Sequence, residues 1–214
     1  MKRLVFIVEG DTEIILVQNH IVPYLIGLGF TISMHAQTIT TNRKQHKKGG
    51  VTDYAKFKNE VIRTFAQGNV IITTLIDFFR LPNDFPGYTS NSNLIHQVEA
   101  SIHEDFGNNP DFIPYIQRHE LEALMFSGRE GFELVIDQGD QLAKIDQILN
   151  TYSNPEDINN DPETAPSKRL IKIFGYDKTG DGEMILEMLG IDQMLQKCPR
   201  FKEWIDKLIQ KLSE

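Results

Sequence analysis

The stretch LVFIVEGDTEIIL, residues 4–16, decides how the rest of the chain is read. Leu4 to Val8 form an unbroken apolar run, which suits a strand buried on both faces. Glu9, Gly10, Asp11 and Glu13 follow at once, and apolar residues return at Ile14. That order predicts a core strand, a turn carrying carboxylates, and a helix. The same grammar recurs downstream. TISMHAQTIT (31–40) alternates, is rich in β-branched residues and reads as a strand. Phe57, Val61 and Phe65 recur at helical spacing within 53–67, and NVIITTLID (69–77) is a second buried strand. FFRLPNDFPGY (78–88) is a loop. Residues 92–105 carry Leu94, Ile95, Val98 and Ile102 on one helical face. DFIPYIQ (111–117) is a short strand, and HELEALMF (119–126) opens the next helix. Alternating strands and helices imply a mostly parallel α/β sheet flanked by helices.

Residues 11–28 read as a helix with Pro23 at a kink. NRKQHKKGG (42–50) reads as a basic loop ended by glycine. Beyond about residue 128 strand signals stop, and helices alternate with NPEDINNDPETAP and GYDKTGDG. The expected organisation is an α/β core over 1–128. A helical C-terminal part, 129–214, is expected to pack on that core within one structural domain.

Composition bounds the function. The chain has 214 residues, 40% of them hydrophobic and 24% charged, with a net charge of -8. A protein that binds nucleic acid only by coating phosphates is usually basic, although a bound cation or a basic loop reverses the local field. The single cysteine, Cys198, excludes an internal disulfide framework and a cysteine zinc cluster. The short apolar run ended by Glu9 does not read as a signal peptide, and no stretch approaches the ~18 apolar residues of a membrane span. The expectation is a soluble cytoplasmic protein without a membrane partner.

The carboxylates carry the chemistry. In a parallel sheet, ligands bind beyond the carboxyl ends of the strands. Glu9 ends the first strand, Asp77 ends VIITTLI, and Glu120 and Glu122 follow FIPYI. Carboxylates gathered at one edge repel unless a cation sits among them. Mg²⁺ or Mn²⁺ suits oxygen ligands and a phosphate substrate. Glu13, one turn beyond Glu9, is either a first-turn residue that complements the helix dipole or a further ligand. Glu120 and Glu122 alternate and so cannot share one helix face; at most one is expected in the site, the other being a solvated or salt-bridged surface group. Ser167 and Lys168 open a helix after two prolines and could meet an anion. Lys178 lies in a glycine-rich loop and could offset charge on a phosphoryl transition state. Lys44, Lys47 and Lys48 could track a phosphate backbone.

Other motifs fail. HELEA lacks the second histidine of a zinc-protease helix, so His119 reads as a hydrogen-bonded structural residue. DKTGDGEMILEM places Met188 where a calcium loop needs its last carboxylate. No phosphate-binding Walker loop and no Gly-x-Ser-x-Gly elbow occurs.

VEGDTE, IDFFRLPNDFPG, FIPYIQRHELEALMFS, NDPETAPSKR, GYDK and CPRFKEWI resemble the blocks of a prokaryotic family, domain of unknown function 4276. The resemblance covers residues 4 to about 205. It implies a Toprim-like fold, and its opening block is similar to the nuclease part of the overcoming-lysogenization-defect family. It also implies gene neighbourhoods of a phage-defence kind, with ATPases of the ABC or AAA type. On the Toprim pattern Glu9 matches the glutamate after the first strand. Asp77 matches the first aspartate of Asp-x-Asp, and Phe79 stands where the second is expected. Glu13 matches a second glutamate of the nuclease relatives.

The resulting expectation is a divalent-metal-dependent nuclease. Glu9, Asp77 and Glu120 or Glu122 would hold the ion, and Glu13 would serve as base or second-ion ligand. Lys168 or Lys178 would offset charge. The rival reading is a non-catalytic sensor or regulatory subunit of an ATPase, favoured by Phe79 and by the acidic composition.

Overall fold

The computed structural model describes residues 2–42, 47–48, 50–158, 161, 163–178 and 180–214, with backbone alone for 40–42 and 47–48. The chain divides into two compact units. The first comprises Met1–Gln117 with Lys207–Glu214, and the second Arg118–Asp206. The division therefore falls after Gln117, where the sequence reading places it near 128, and it runs through the last helix.

In the first unit β1 (Arg3–Val8) is followed by α1 (Asp11–Leu16), a π-helical turn (Val17–Ile21) and α2 (Val22–Gly27). Pro23 lies in the first turn of α2, and the wider turn precedes it, with Val22 N–H donating to the Val17 carbonyl. A proline has no N–H to give, and the π turn takes up the resulting mismatch in the helix. Next come β2 (Ser33–Thr38), β3 (Thr40–Asn42) and β4 (Lys47–Lys48). The last two pair antiparallel, so Lys47 and Lys48 form a strand rather than a loop. Lys44 lies outside the described residues. The unit continues with α3 (Tyr54–Phe65), β5 (Val70–Asp77), α4 (Ile95–Asp105), β6 (Phe112–Ile113) and β7 (Ile116–Gln117).

Among the described residues the main sheet has the order β2-β1-β5-β6, with β7 also on β5, and every pairing is parallel. The expected strand at 111–117 is split in two because Pro114 cannot donate to the ladder. The Thr74 hydroxyl fills the gap: it accepts from Tyr115 N–H and donates to the Tyr115 carbonyl, both at 2.8 Å. Val5, Ile7, Ile72 and Ile76 share one core with Phe57 and Val61 of α3 and Ile95, Val98 and Ile102 of α4. Leu4, Phe6 and Val8 are equally buried, so β1 is covered on both faces, which is why its sequence does not alternate.

The second unit holds a 3-10 segment (Leu121–Ser127), α5 (Glu130–Val135), α6 (Gly139–Thr151), α7 (Pro166–Phe174), α8 (Gly180–Lys197) and most of α9 (Pro199–Leu212). The expected α-helix at 119–126 is therefore a tighter 3-10 run. His119 precedes it with φ 68, Glu120 is extended, and all seven residues Leu121–Ser127 are buried. A segment with no solvent face cannot be an amphipathic helix. Among the described residues no helix is long and apolar enough to cross a membrane.

Candidate active site

The sheet order makes β1 and β5 the place where connections change direction. From β1 the chain moves to β2 on one side, then crosses to β5 on the other. In open parallel sheets the crevice beyond the carboxyl ends of two such strands receives ligands. Glu9 directly follows β1, and Asp77 is the last residue of β5. The Glu9 carboxylate accepts a hydrogen bond from Asp77 N–H at 3.2 Å, which fixes the glutamate side chain across the switch point. Glu9 is held from the other side too, where Gly50 N–H donates to its backbone carbonyl at 2.9 Å.

Glu13 is buried at 3% exposure on α1. Its carboxylate turns back over Gly10: a Cβ added there would lie 3.2 Å from Glu13 Oε2. Gly10 is the residue before the helix and Glu13 its third residue, the relation of a capping box. Its carboxylate thus folds back toward the turn that Glu9 opens. Both sequence readings of Glu13 remain compatible with this placement.

Glu120 and Glu122 belong to the second unit and are described there. Both are buried, so neither is the surface group expected, although Glu122 is salt-bridged. The argument from helix faces does not apply, because Glu120 is extended and sits before the 3-10 run. Its carboxylate accepts from both Ser167 N–H and Ser167 Oγ–H at 3.0 Å. The start of α7, read from sequence as a place for an anion, is thus filled by the protein's own carboxylate. Lys168 is exposed on the first turn of α7. Glu122 is fully buried. Lys178 Nζ stands 3.2 Å from Glu122 Oε1. Burial pushes the Glu122 carboxyl up; Lys178 pulls it back and Glu120 adds to the rise. The neighbouring Tyr176 phenol is pushed up by burial and then by Glu122.

His119 is 3% exposed, and its Nδ1 has no hydrogen-bond partner. Burial, then Arg118, lowers its pKa from 6.5 to about 4, with Asp157 opposing. The folded state therefore refuses a proton that the unfolded chain accepts. Stability present above pH 6.5 is lost as pH falls from 6.5 to about 4, by about 2 kcal/mol once solvent screening is allowed for. His119→Asn keeps a residue tolerant of φ 68 and removes the titration. Its melting temperature should fall less than that of the unaltered chain across this window; parallel curves would show that His119 does not titrate as described.

Residues 78–88 read as loop in the sequence, and the geometry inside that loop is not visible there. Directly after Asp77, Leu81 N–H donates to the Phe78 carbonyl at 3.1 Å, closing a turn whose third residue, Arg80, has φ 64. That position favours glycine, and a long side chain there costs about 1 kcal/mol. FFRL carries no glycine to mark that position, so the turn leaves no signal in the sequence.

For a cation, the donor chemistry at the switch point is all oxygen. Among the described residues no three acidic, histidine or cysteine side chains form a group that could hold a metal ion. Mg²⁺ does not require one, since it is commonly held by one or two carboxylates with waters and substrate phosphates. Glu9 and Asp77 place two carboxylates at that edge of the sheet.

The parallel sheet and the helices that follow it define an α/β protein. Residues 8–209 match the family described as Domain of unknown function (DUF4276), and the chain belongs to that family. It is also similar to a solved structure, the C-terminal region of the Xanthomonas campestris pv. campestris OLD protein. The identity is 17% and the TM-score 0.51, over 99% of this chain and 94% of that one. The mostly parallel sheet with helices after it is the fold the two share. No curated protein matches the chain.

Proposed function

We propose that this protein is a divalent-metal-dependent nuclease that hydrolyses nucleic-acid phosphodiesters in the cytoplasm. The observation that carries the reading is the meeting of Glu9 with the Asp77 backbone at the carboxyl ends of β1 and β5, where the sheet changes direction. Family membership and the fold shared with the OLD region support it. Glu9 and Asp77 would hold Mg²⁺ or Mn²⁺, which when bound polarises a phosphate and lowers the pKa of water. Glu9 is oriented for this by the Asp77 N–H, so its carboxylate is placed before substrate arrives. Glu13, buried beside Gly10, accepts the proton of the attacking water at its carboxylate. Glu120, Glu122, Lys168 and Lys178 belong to the second unit and take no step in this scheme. Lys44, Lys47 and Lys48 are proposed as backbone contacts. An ATPase of the ABC or AAA type is the proposed partner, in a phage-defence setting.

The test is incubation of the pure chain with plasmid, single-stranded DNA and RNA, with Mn²⁺ and with chelator. The same arms are run with the ATPase encoded beside it. Cleavage that disappears on chelation and in Asp77→Ala supports the nuclease. Intact substrates in every arm, with tight binding to the ATPase, support a non-catalytic subunit instead.

A further inference from the structure

We propose that the turn Phe78–Leu81 is a stacking platform for an unstacked base, so that the substrate is gripped as a single strand. The inference rests on the nuclease reading for its placement, since it names the substrate form that the site would take. The two ends of the turn are fixed. Phe78 and Leu81 are each 6% exposed and belong to the core, and Phe78 N–H donates to the Gln117 carbonyl at 2.9 Å. The two middle residues turn outward: Phe79 is part-exposed and Arg80 exposed. The Arg80 guanidinium lies over the Phe79 ring, 5.1 Å from its centroid. A rigid aromatic face backed by a guanidinium is the pairing on which bases stack in single-strand-binding proteins, independent of sequence.

Position gives the platform its meaning. Phe79 follows Asp77 by two residues, so its Cα lies no more than about 7 Å from that of Asp77. A base resting there has its backbone beside the strand-end carboxylates. The strain at Arg80 points the same way. Glycine would satisfy φ 64 without cost, yet the chain keeps a long cationic side chain exposed there. Further along the loop, Phe85 is buried beside Phe57 and Tyr54, and Asp84 accepts from Tyr54 N–H at 2.9 Å. The loop is anchored on α3, and the platform is formed in advance of binding. Stacking also suits a chain of net charge -8, because it draws affinity from base faces and less from phosphate charge.

The test is fluorescence anisotropy with short labelled single strands of DNA and of RNA and the matching duplexes, in chelator and again in Ca²⁺. The full chain is expected to prefer single strands. Phe79→Leu keeps apolar bulk but loses the aromatic face. It should weaken single-strand binding about 5- to 150-fold, by the same factor at low and high salt, and leave duplex binding unchanged. Phe79→Trp should retain binding. Arg80→Gly should melt no lower than the unaltered chain, and still bind single strands less tightly. The proposal is overturned by Phe79→Leu binding at the unaltered strength, by preference for duplex, or by no single-strand binding. Because binding is read without cleavage, stacking without hydrolysis sinks only the nuclease reading. Hydrolysis with normal Phe79→Leu binding sinks only the platform.

Discussion

Glu9→Gln is expected to slow phosphodiester cleavage about 10³-fold while leaving the fold and substrate binding in place. That factor corresponds to about 4 kcal/mol of transition-state stabilisation. Glutamine keeps an oxygen able to accept the Asp77 N–H, so the local geometry at the switch point survives. What it removes is one of two negative charges available to a hard cation, and neutral amide oxygens are weaker ligands for Mg²⁺. Asp77→Asn should lose a comparable factor for the same reason. The two together should cost less than the product of the singles, because residues that act as one unit are not additive. Single-turnover rates with saturating strand check this. A Glu9→Gln variant within threefold of the unaltered rate would place the chemistry elsewhere.

Glu156→Ala is expected to destabilise the second unit by about 3 kcal/mol, enough to lower the melting temperature by roughly 6–12 °C. Glu156 is fully buried within a short 3-10 turn, Pro155–Asp157. Its carboxylate accepts from Arg200 N–H at 2.9 Å and Phe201 N–H at 3.1 Å, two of the donors that α9 leaves open at its start. Burial pushes its carboxyl up, while those two donors pull it back. Alanine would leave both N–H groups without an acceptor and a cavity beside Phe201, which is itself fully buried. Glu156→Gln retains an acceptor and should cost only about 1 kcal/mol. Equal melting temperatures for the two variants would show that the carboxylate is not the cap of α9.

The strands that build the candidate site are legible in the sequence because they are buried on both faces. LVFIV and VIITTLID leave no room for a helical period, and each ends in a carboxylate where the apolar run stops. The pairing of Glu9 with Asp77 then follows from β1 and β5 being neighbours, a topology that local pattern does not dictate. Glu120 shows the opposite case. Its job is to accept from Ser167, 47 positions away, and nothing within HELEALMF announces that partner. The 3-10 run in the same segment is equally hidden, since its apolar residues fit a buried helix of either pitch. Pro114 does signal the break between β6 and β7, but the repair by Thr74 depends on a side chain from the neighbouring strand. Likewise the return of Lys207–Glu214 to the first unit has no mark in composition. It is accompanied by an ion pair of Lys211 with Asp111 at 3.2 Å.

Everything proposed for catalysis comes down to whether positions 9 and 77 grip a cation, and Mn²⁺ binding followed by calorimetry and by electron paramagnetic resonance reads this without any substrate. Mn²⁺ is expected to bind the unaltered chain, and at least tenfold more weakly both Glu9→Gln and Asp77→Asn, while their melting temperatures stay within a few degrees. Undiminished Mn²⁺ binding in those two well-folded variants would contradict it.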